Sequence, residues 1–205
     1  MKGPLFYSKI LLFGEYGIIQ DSKGLSIPYN FYNGALKNDG NSSESAVKSN
    51  ESLKKFVVYL EQLQVNQPEL VTFNLDTLKQ DVNNGMYFDS SIPQGYGVGS
   101  SGALVAAIYD KYANDKITVL ENLTREKLLQ LKAIFSQMES FFHGKSSGLD
   151  PLNSYLSIPI LINSKDNIEA TGIPTQSTQG KGAVFLLDSG IVGETAPMVS
   201  IFMEN

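Results

Sequence analysis

The 205-residue sequence predicts an α+β or mixed α/β fold, and three observations carry that expectation. Segments rich in Phe, Tyr and Ile open the chain as strands, and two long stretches later place apolar residues at helical spacing. Helices and strands then interleave without the strict alternation of a barrel, and no internal repeat is present.

Leu5 to Phe13 reads as the first strand, with Gly14 turning the chain at its end. Leu25 to Leu36 reads as a second, broken at Pro28. Leu36 to Ser52 is polar and small, the composition of a solvent loop or a disordered connection. Leu53, Phe56, Val57, Leu60 and Leu63 then line one face of a helix, with Asn50 or Ser52 as its cap. Glu69–Leu75 and Met86–Ile92 are strand candidates flanking a short helix over Asp76–Asn83. A glycine-rich stretch leads into a helix over Ala103–Tyr112 that starts at Ser100 or Ser101. Leu128, Leu131, Phe135, Met138 and Phe142 form the stripe of a helix spanning Thr124–Phe142, which Gly144 stops. Tyr155–Ile162 and Ala183–Leu187 read as strands, and a last helix starts at Thr195 or Ala196.

Composition narrows the function classes. Hydrophobic residues make up 42% and charged residues 18%, which excludes a disordered chain. The net charge of -5, with no basic run longer than Lys54-Lys55, argues against nucleic acid or an anionic membrane as a partner. The chain has no cysteine, so thiolate catalysis, disulfides and cysteine-ligated zinc are excluded, and a reducing cytoplasm is the expected location. Near the N-terminus the apolar run Ile10–Phe13 is too short for a signal sequence or a membrane span.

The stretch Gly95-Tyr96-Gly97-Val98-Gly99-Ser100-Ser101-Gly102-Ala103 contains G-x-G-x-x-G, yet three familiar readings of it fail. A dinucleotide fingerprint needs a strand running directly into the glycines, but Pro93-Gln94 intervenes, and no strand with an acid follows about 20 residues on. A protein-kinase loop needs the later V-A-I-K, H-R-D and D-F-G motifs, which are missing. In a Walker A loop ending at Gly144-Lys145-Ser146, the leading glycine falls on Glu139. Two physical readings remain: an anion cradle, where glycine backbone and a helix N-terminus face one spot, or a turn that merely caps a helix. Taken singly, Lys9 could point to solvent, Glu139 could belong to a solvated helix face, and Asp150 before Pro151 could form a turn.

Three separated motifs in order resolve these alternatives. Lys9-Ile10-Leu11-Leu12-Phe13-Gly14-Glu15-Tyr16, the Pro93–Ala103 stretch and His143-Gly144-Lys145-Ser146-Ser147-Gly148-Leu149-Asp150 together resemble the GHMP small-molecule kinases. The family patterns are K-x-x-L-x-G-E-H, P-x-G-x-G-L-G-S-S-A and, in its mevalonate-phosphorylating members, H-G-x-P-S-G-x-D. This chain departs from them with Tyr16 for His, Val98 for Leu, Gly102 for Ala and Ser146 for Pro.

The resemblance implies a ribosomal-protein-S5-domain-2-like fold and transfer of the ATP γ-phosphoryl group to a small alcohol. Mevalonate, in isoprenoid precursor synthesis, is the favoured acceptor; phosphomevalonate, a sugar, or a non-catalytic ATP- or metabolite-binding role are alternatives. It implies ATP and Mg²⁺ as cofactors, with Asp150 and Lys9 catalytic. Pro93, Gly95, Gly97, Val98, Gly99, Ser100, Ser101, Gly102 and Ala103 would surround ATP. Ser101 and Glu139 would hold the metal, and Glu15, Tyr16, His143, Ser147 and Gly148 would meet the acceptor. Residues 1–180 would form the N-terminal ATP-binding domain. Residues 181–205 would open a second, truncated domain, whose usual third glycine motif has no counterpart after Asp150. Oligomeric state stays open, a homodimer included.

Overall fold

The structure, a computed structural model, describes residues 4–118, 123–164, 166–172, 187, 190, 193 and 195–204. Its sheet is antiparallel throughout and joins early and late parts of the chain. β1 (Phe6–Phe13) pairs with the long β2 (Gly24–Lys37), whose first residues pair on the other side with β4 (Ile160–Ser164) and whose last residues pair with β3 (Tyr87–Ser90). β5 (Asn167–Ala170) extends the sheet beyond β4. Buried Ile160 and Ile162 alternate with half-buried Leu161, so one face of the sheet turns towards the helices.

The helices are α1 (Glu44–Asn66), α2 (Leu75–Asn83), α3 (Ser100–Tyr112), α4 (Arg125–His143), α5 (Leu149–Leu156) and α6 (Thr195–Glu204). α3 lies at the centre, against β1, β2, α4 and α5. Its small residues Gly102, Ala103, Ala106 and Ala107 let those neighbours approach closely, and Ile108, Tyr109 and Tyr112 fill its other side. Tyr109, Phe135 and Tyr155 meet edge to face with centroids 5.0 to 5.6 Å apart, locking α3, α4 and α5 together. An α+β fold with an antiparallel sheet is therefore observed, as the sequence predicts.

Four local expectations differ. Pro28 does not break β2. It lies opposite Lys9, whose N–H turns away from β2 to Val98 O at 3.0 Å, so the two form a non-hydrogen-bonded pair. The N–H that Pro28 lacks would also have pointed away from β1, between the stretches of β2 used by β4 and β3.

Residues 44–52 are helix, not loop. α1 is capped by Ser43, whose hydroxyl accepts the Ala46 N–H, rather than by Asn50 or Ser52. The polar residues of this segment have specific partners. The Ser49 hydroxyl accepts the Phe88 N–H at 2.9 Å and bonds Phe88 O, while Asn50 donates to Val82 O and Met86 O. α1 thereby satisfies the outer edge of β3.

Glu69–Leu75 forms no strand beyond an isolated bridge between Phe73 and Ala113. Its backbone bonds go to the Gln64 side chain and the end of α3: Phe73 N–H to Gln64 Oε1, Asn74 N–H to Tyr112 O. Tyr155 and Leu156 complete α5, and β4 begins only at Ile160 after Ser157 turns left-handed with φ 54°. α5 is buried at nearly every position, so no polar stripe distinguishes it from a buried strand. The expected strand over residues 183–187 lies outside the described residues except for Leu187, so the boundary at residue 180 remains a proposal.

Candidate active site

The three motifs converge where β1, the N-terminus of α3, the end of α4 and the start of α5 meet. Lys9 on β1 is buried at 7% exposure, and its Nζ lies 3.0 Å from Asp150 Oδ1 in the first turn of α5. The glycine loop is tied to the same strand through the Lys9 N–H bond to Val98 O.

Two glycines make this approach possible. Gly99, at φ +83°, caps α3 without a side chain, and a Cβ there would lie 3.1 Å from Lys9 Cγ. A Cβ on Gly102 would stand 2.8 Å from Asp150 C and Pro151 N, so α3 and α5 can touch only because this residue has no side chain. The first N–H groups of α3 have no partners within the helix, and the positive end of its dipole follows directly on the glycine loop.

Glu139, in the last turns of α4, is 4% exposed. Its Oε1 accepts the Ser101 hydroxyl at 3.0 Å, and its Oε2 accepts the Ser146 hydroxyl. His143, one turn further along α4, brings Nε2 to 2.9 Å from the same Ser101 oxygen. Burial pushes the Glu139 carboxyl up to about 7, with Asp150 adding repulsion against the two hydroxyls and Lys9. Burial lowers the Lys9 ammonium, but Asp150, aided by Glu15 and Glu139, outweighs it and holds the pKa above its ordinary value. Lys9 is therefore a fixed cation beside two carboxylates.

The remaining sequence-predicted residues fall into two groups. Glu15 is near enough to act on the Lys9 charge, and Tyr16, at φ 60°, packs its ring 5.8 Å from that of Phe202 in α6. Gly95 O accepts the Gly193 N–H at 3.1 Å, so the C-terminal segment also reaches the glycine loop. Ser147 is exposed and accepts the Leu149 N–H at the start of α5. Gly148 is buried with its α-carbon facing the α4 backbone at Lys132 O and Ser136 N. A side chain there would collide with α4, so this glycine sets the helix spacing. Ser146 is the contact that sequence reasoning passed over, beyond noting that it replaces a proline.

Among the described residues no cluster of three His, Cys, Asp or Glu side chains is poised to hold a metal by itself. One carboxylate and one hydroxyl, Glu139 and Ser101, suit a Mg²⁺ that brings phosphate and water oxygens with it. A cavity of about 220 Å³ lies elsewhere, between the 68–72 loop and Ile134, and none of these site residues line it.

Residues 57–157 match the family model described as the GHMP kinases N terminal domain. The chain carries a GHMP kinase N-terminal domain. The matched segment includes the glycine loop, Glu139, His143 and Asp150, and Lys9 precedes it. Members of this family use ATP and Mg²⁺ and act on small molecules. Among solved structures, the mevalonate kinase of Methanococcus jannaschii is similar at 16% identity and a TM-score of 0.48, over 83% of this chain and 56% of that one. The mevalonate kinase of methicillin-resistant Staphylococcus aureus MRSA252 is similar at 20% identity and a TM-score of 0.42, over 81% of this chain and 53% of that one. This chain thus spans a little over half the length of those two enzymes. No curated protein matches its sequence. Among the described residues no helix is long and apolar enough to cross a membrane.

Proposed function

We propose that this chain carries the catalytic site of an ATP-dependent kinase that phosphorylates a small alcohol, with mevalonate as the acceptor. The observation that carries the proposal is the Lys9–Asp150 pair, 3.0 Å apart at the mouth of the glycine loop. A purely nucleotide-binding relative has no use for a carboxylate paired with a buried lysine beside the phosphate cradle.

In this reading Gly95 to Ala103 surround the triphosphate, and the α3 N-terminus offers N–H groups to it. Asp150 accepts the proton of the attacking hydroxyl as its oxygen bonds to the γ-phosphorus and the bond to the ADP oxygen breaks. Lys9 holds the Asp150 carboxylate in position and balances charge that builds on the transferring group. Ser101 and Glu139 would hold Mg²⁺, which would neutralise phosphate charge when bound. Glu15, Tyr16, His143, Ser147 and Gly148 are proposed to meet the acceptor.

Lys9 is the only lysine or arginine among the described residues that is buried, and it is already paired with Asp150. Lys145 on the adjoining turn is exposed. An acceptor with one carboxylate, such as mevalonate, suits this supply of cations better than a phosphorylated one. The absence of cysteine and the net charge of -5 fit a cytoplasmic enzyme.

The test is a coupled ATP-consumption assay of the full-length protein with mevalonate, phosphomevalonate, homoserine and several sugars. Mevalonate should give the highest kcat/KM, and Asp150→Asn should lower kcat by about 10²- to 10⁴-fold, the usual contribution of a general base. Near-wild-type turnover by Asp150→Asn would remove Asp150 from its assigned role. Faster turnover of a sugar or of phosphomevalonate would reassign the acceptor.

A further inference from the structure

The turn after α4 holds a side chain that the mechanism above leaves unused. Ser146 stands where the family signature has proline, and its hydroxyl donates to Glu139 Oε2. The same hydroxyl oxygen accepts the Gly148 N–H at 3.0 Å, and Ser146 O accepts the Ser136 hydroxyl at 2.6 Å. These contacts set the direction of the proton. With the Gly148 N–H on its lone pair, the Ser146 hydroxyl has a single hydrogen to give, and Glu139 Oε2 receives it.

The two carboxylate oxygens of Glu139 are therefore not equivalent. Oε1 accepts from Ser101, but the Ser101 oxygen also lies 2.9 Å from His143 Nε2, so that hydroxyl has a second direction for its proton. If the proton turns to His143, Glu139 Oε1 and a Ser101 lone pair become available together. Oε2 has no such release, because the Ser136 hydroxyl and the Gly148 N–H hold Ser146 in place. A proline at position 146 has no hydroxyl and could not make this distinction.

We propose that Ser146 is a positioning residue that occupies Glu139 Oε2 and leaves Oε1 to face a divalent cation arriving with a nucleoside triphosphate. The inference rests on the reading of Ser101 and Glu139 as cation ligands. It adds a hydrogen-bonded outer partner to a carboxylate ligand, an arrangement whose loss typically lowers metal affinity about 10- to 100-fold.

The experiment measures calorimetric binding of a non-hydrolysable ATP analogue to the full-length protein, with Mg²⁺ or with EDTA. The readout is the ratio of the two affinities. Ser146→Ala should lower the Mg²⁺ enhancement about 10- to 100-fold with binding in EDTA unchanged. Ser146→Cys, nearly isosteric but a much weaker donor, should do the same and serves if the alanine variant fails to fold. Ser146→Thr keeps the hydroxyl and should retain the enhancement. Full enhancement in both the Ala and Cys variants, with Glu139→Gln abolishing it, would overturn the Ser146 assignment alone. Equal losses in the Thr and Ala variants would also overturn it, since the hydroxyl would then be irrelevant. Full enhancement in Glu139→Gln would overturn the cation site itself and this inference with it.

Discussion

Replacing Glu139 by glutamine should change the protein's stability by an amount that moves in the variant's favour as pH rises. The carboxyl is 4% exposed and its pKa is pushed from an ordinary 4.5 up to about 7. Burial is the main cause and the Asp150 charge adds to it; Ser146, Ser101 and Lys9 oppose them only in part. In the unfolded chain the group loses its proton near pH 4.5, while the folded protein retains it until about pH 7. The folded state therefore binds more protons across that window, and stability falls as pH rises through it. A separation of about 2.5 pH units at 1.36 kcal/mol each corresponds to about 3 kcal/mol.

Glutamine has no proton to lose, so this part of the pH dependence disappears in the variant. Urea unfolding in EDTA at pH 5, 6, 7 and 8 measures it directly. The stability difference between Glu139→Gln and wild type should grow by about 2.5 kcal/mol from pH 5 to pH 8, since part of the change already lies below pH 5. The amide cannot accept from both serines as a carboxylate does, and Ser146 is already engaged by Gly148. That loss is a constant offset, which leaves the slope unaffected. A difference that does not change with pH would refute the argument that burial strains this carboxylate.

Two further substitutions probe how the site is held. Gly102→Ala restores the residue of the family motif, yet its Cβ would meet Asp150 C and Pro151 N at 2.8 Å, and neither backbone atom can swing aside. It should cost about 1–3 kcal/mol in urea unfolding, as overpacking usually does, and slow phosphoryl transfer by displacing Asp150; unchanged stability would contradict the observed α3–α5 contact. Ser49→Ala removes the hydroxyl that serves both backbone groups of Phe88. A loss of about 1–3 kcal/mol and faster hydrogen exchange at the Phe88 amide are expected, and unaltered exchange would mean that α1 does not protect the β3 edge.

What could be read from the sequence follows from how local each signal is. The long helices α1 and α4 show their buried faces as spaced apolar residues, and β1 shows itself as a run of strand formers, because those patterns depend on the segment alone. The first turns of α1 carry no such pattern. Ser49 and Asn50 are engaged there by Phe88, Val82 and Met86, some 30 to 40 positions away, and until that pairing is known they read as loop residues. Pro28 is the converse case, a strand-breaking residue made harmless by a register that only the assembled sheet defines.

The site divides along the same line. Motif order is enough to group Lys9, the glycine loop, Glu139 and Asp150, and the structure brings Lys9 to Asp150 and Ser101 to Glu139. Within Lys145-Ser146-Ser147, however, two adjacent residues of identical chemistry face different surroundings. Ser146 turns inward to Glu139, while Ser147 stays exposed and accepts the Leu149 N–H. What separates them is the tether from Ser136, one turn before Ser140 on α4, which fixes the Ser146 carbonyl and with it the path of the turn. A hydroxyl in place of proline here marks a change in how the carboxylate is held. In one case a stiff backbone would shape the turn; in this chain a directed hydrogen bond selects which oxygen of Glu139 stays covered.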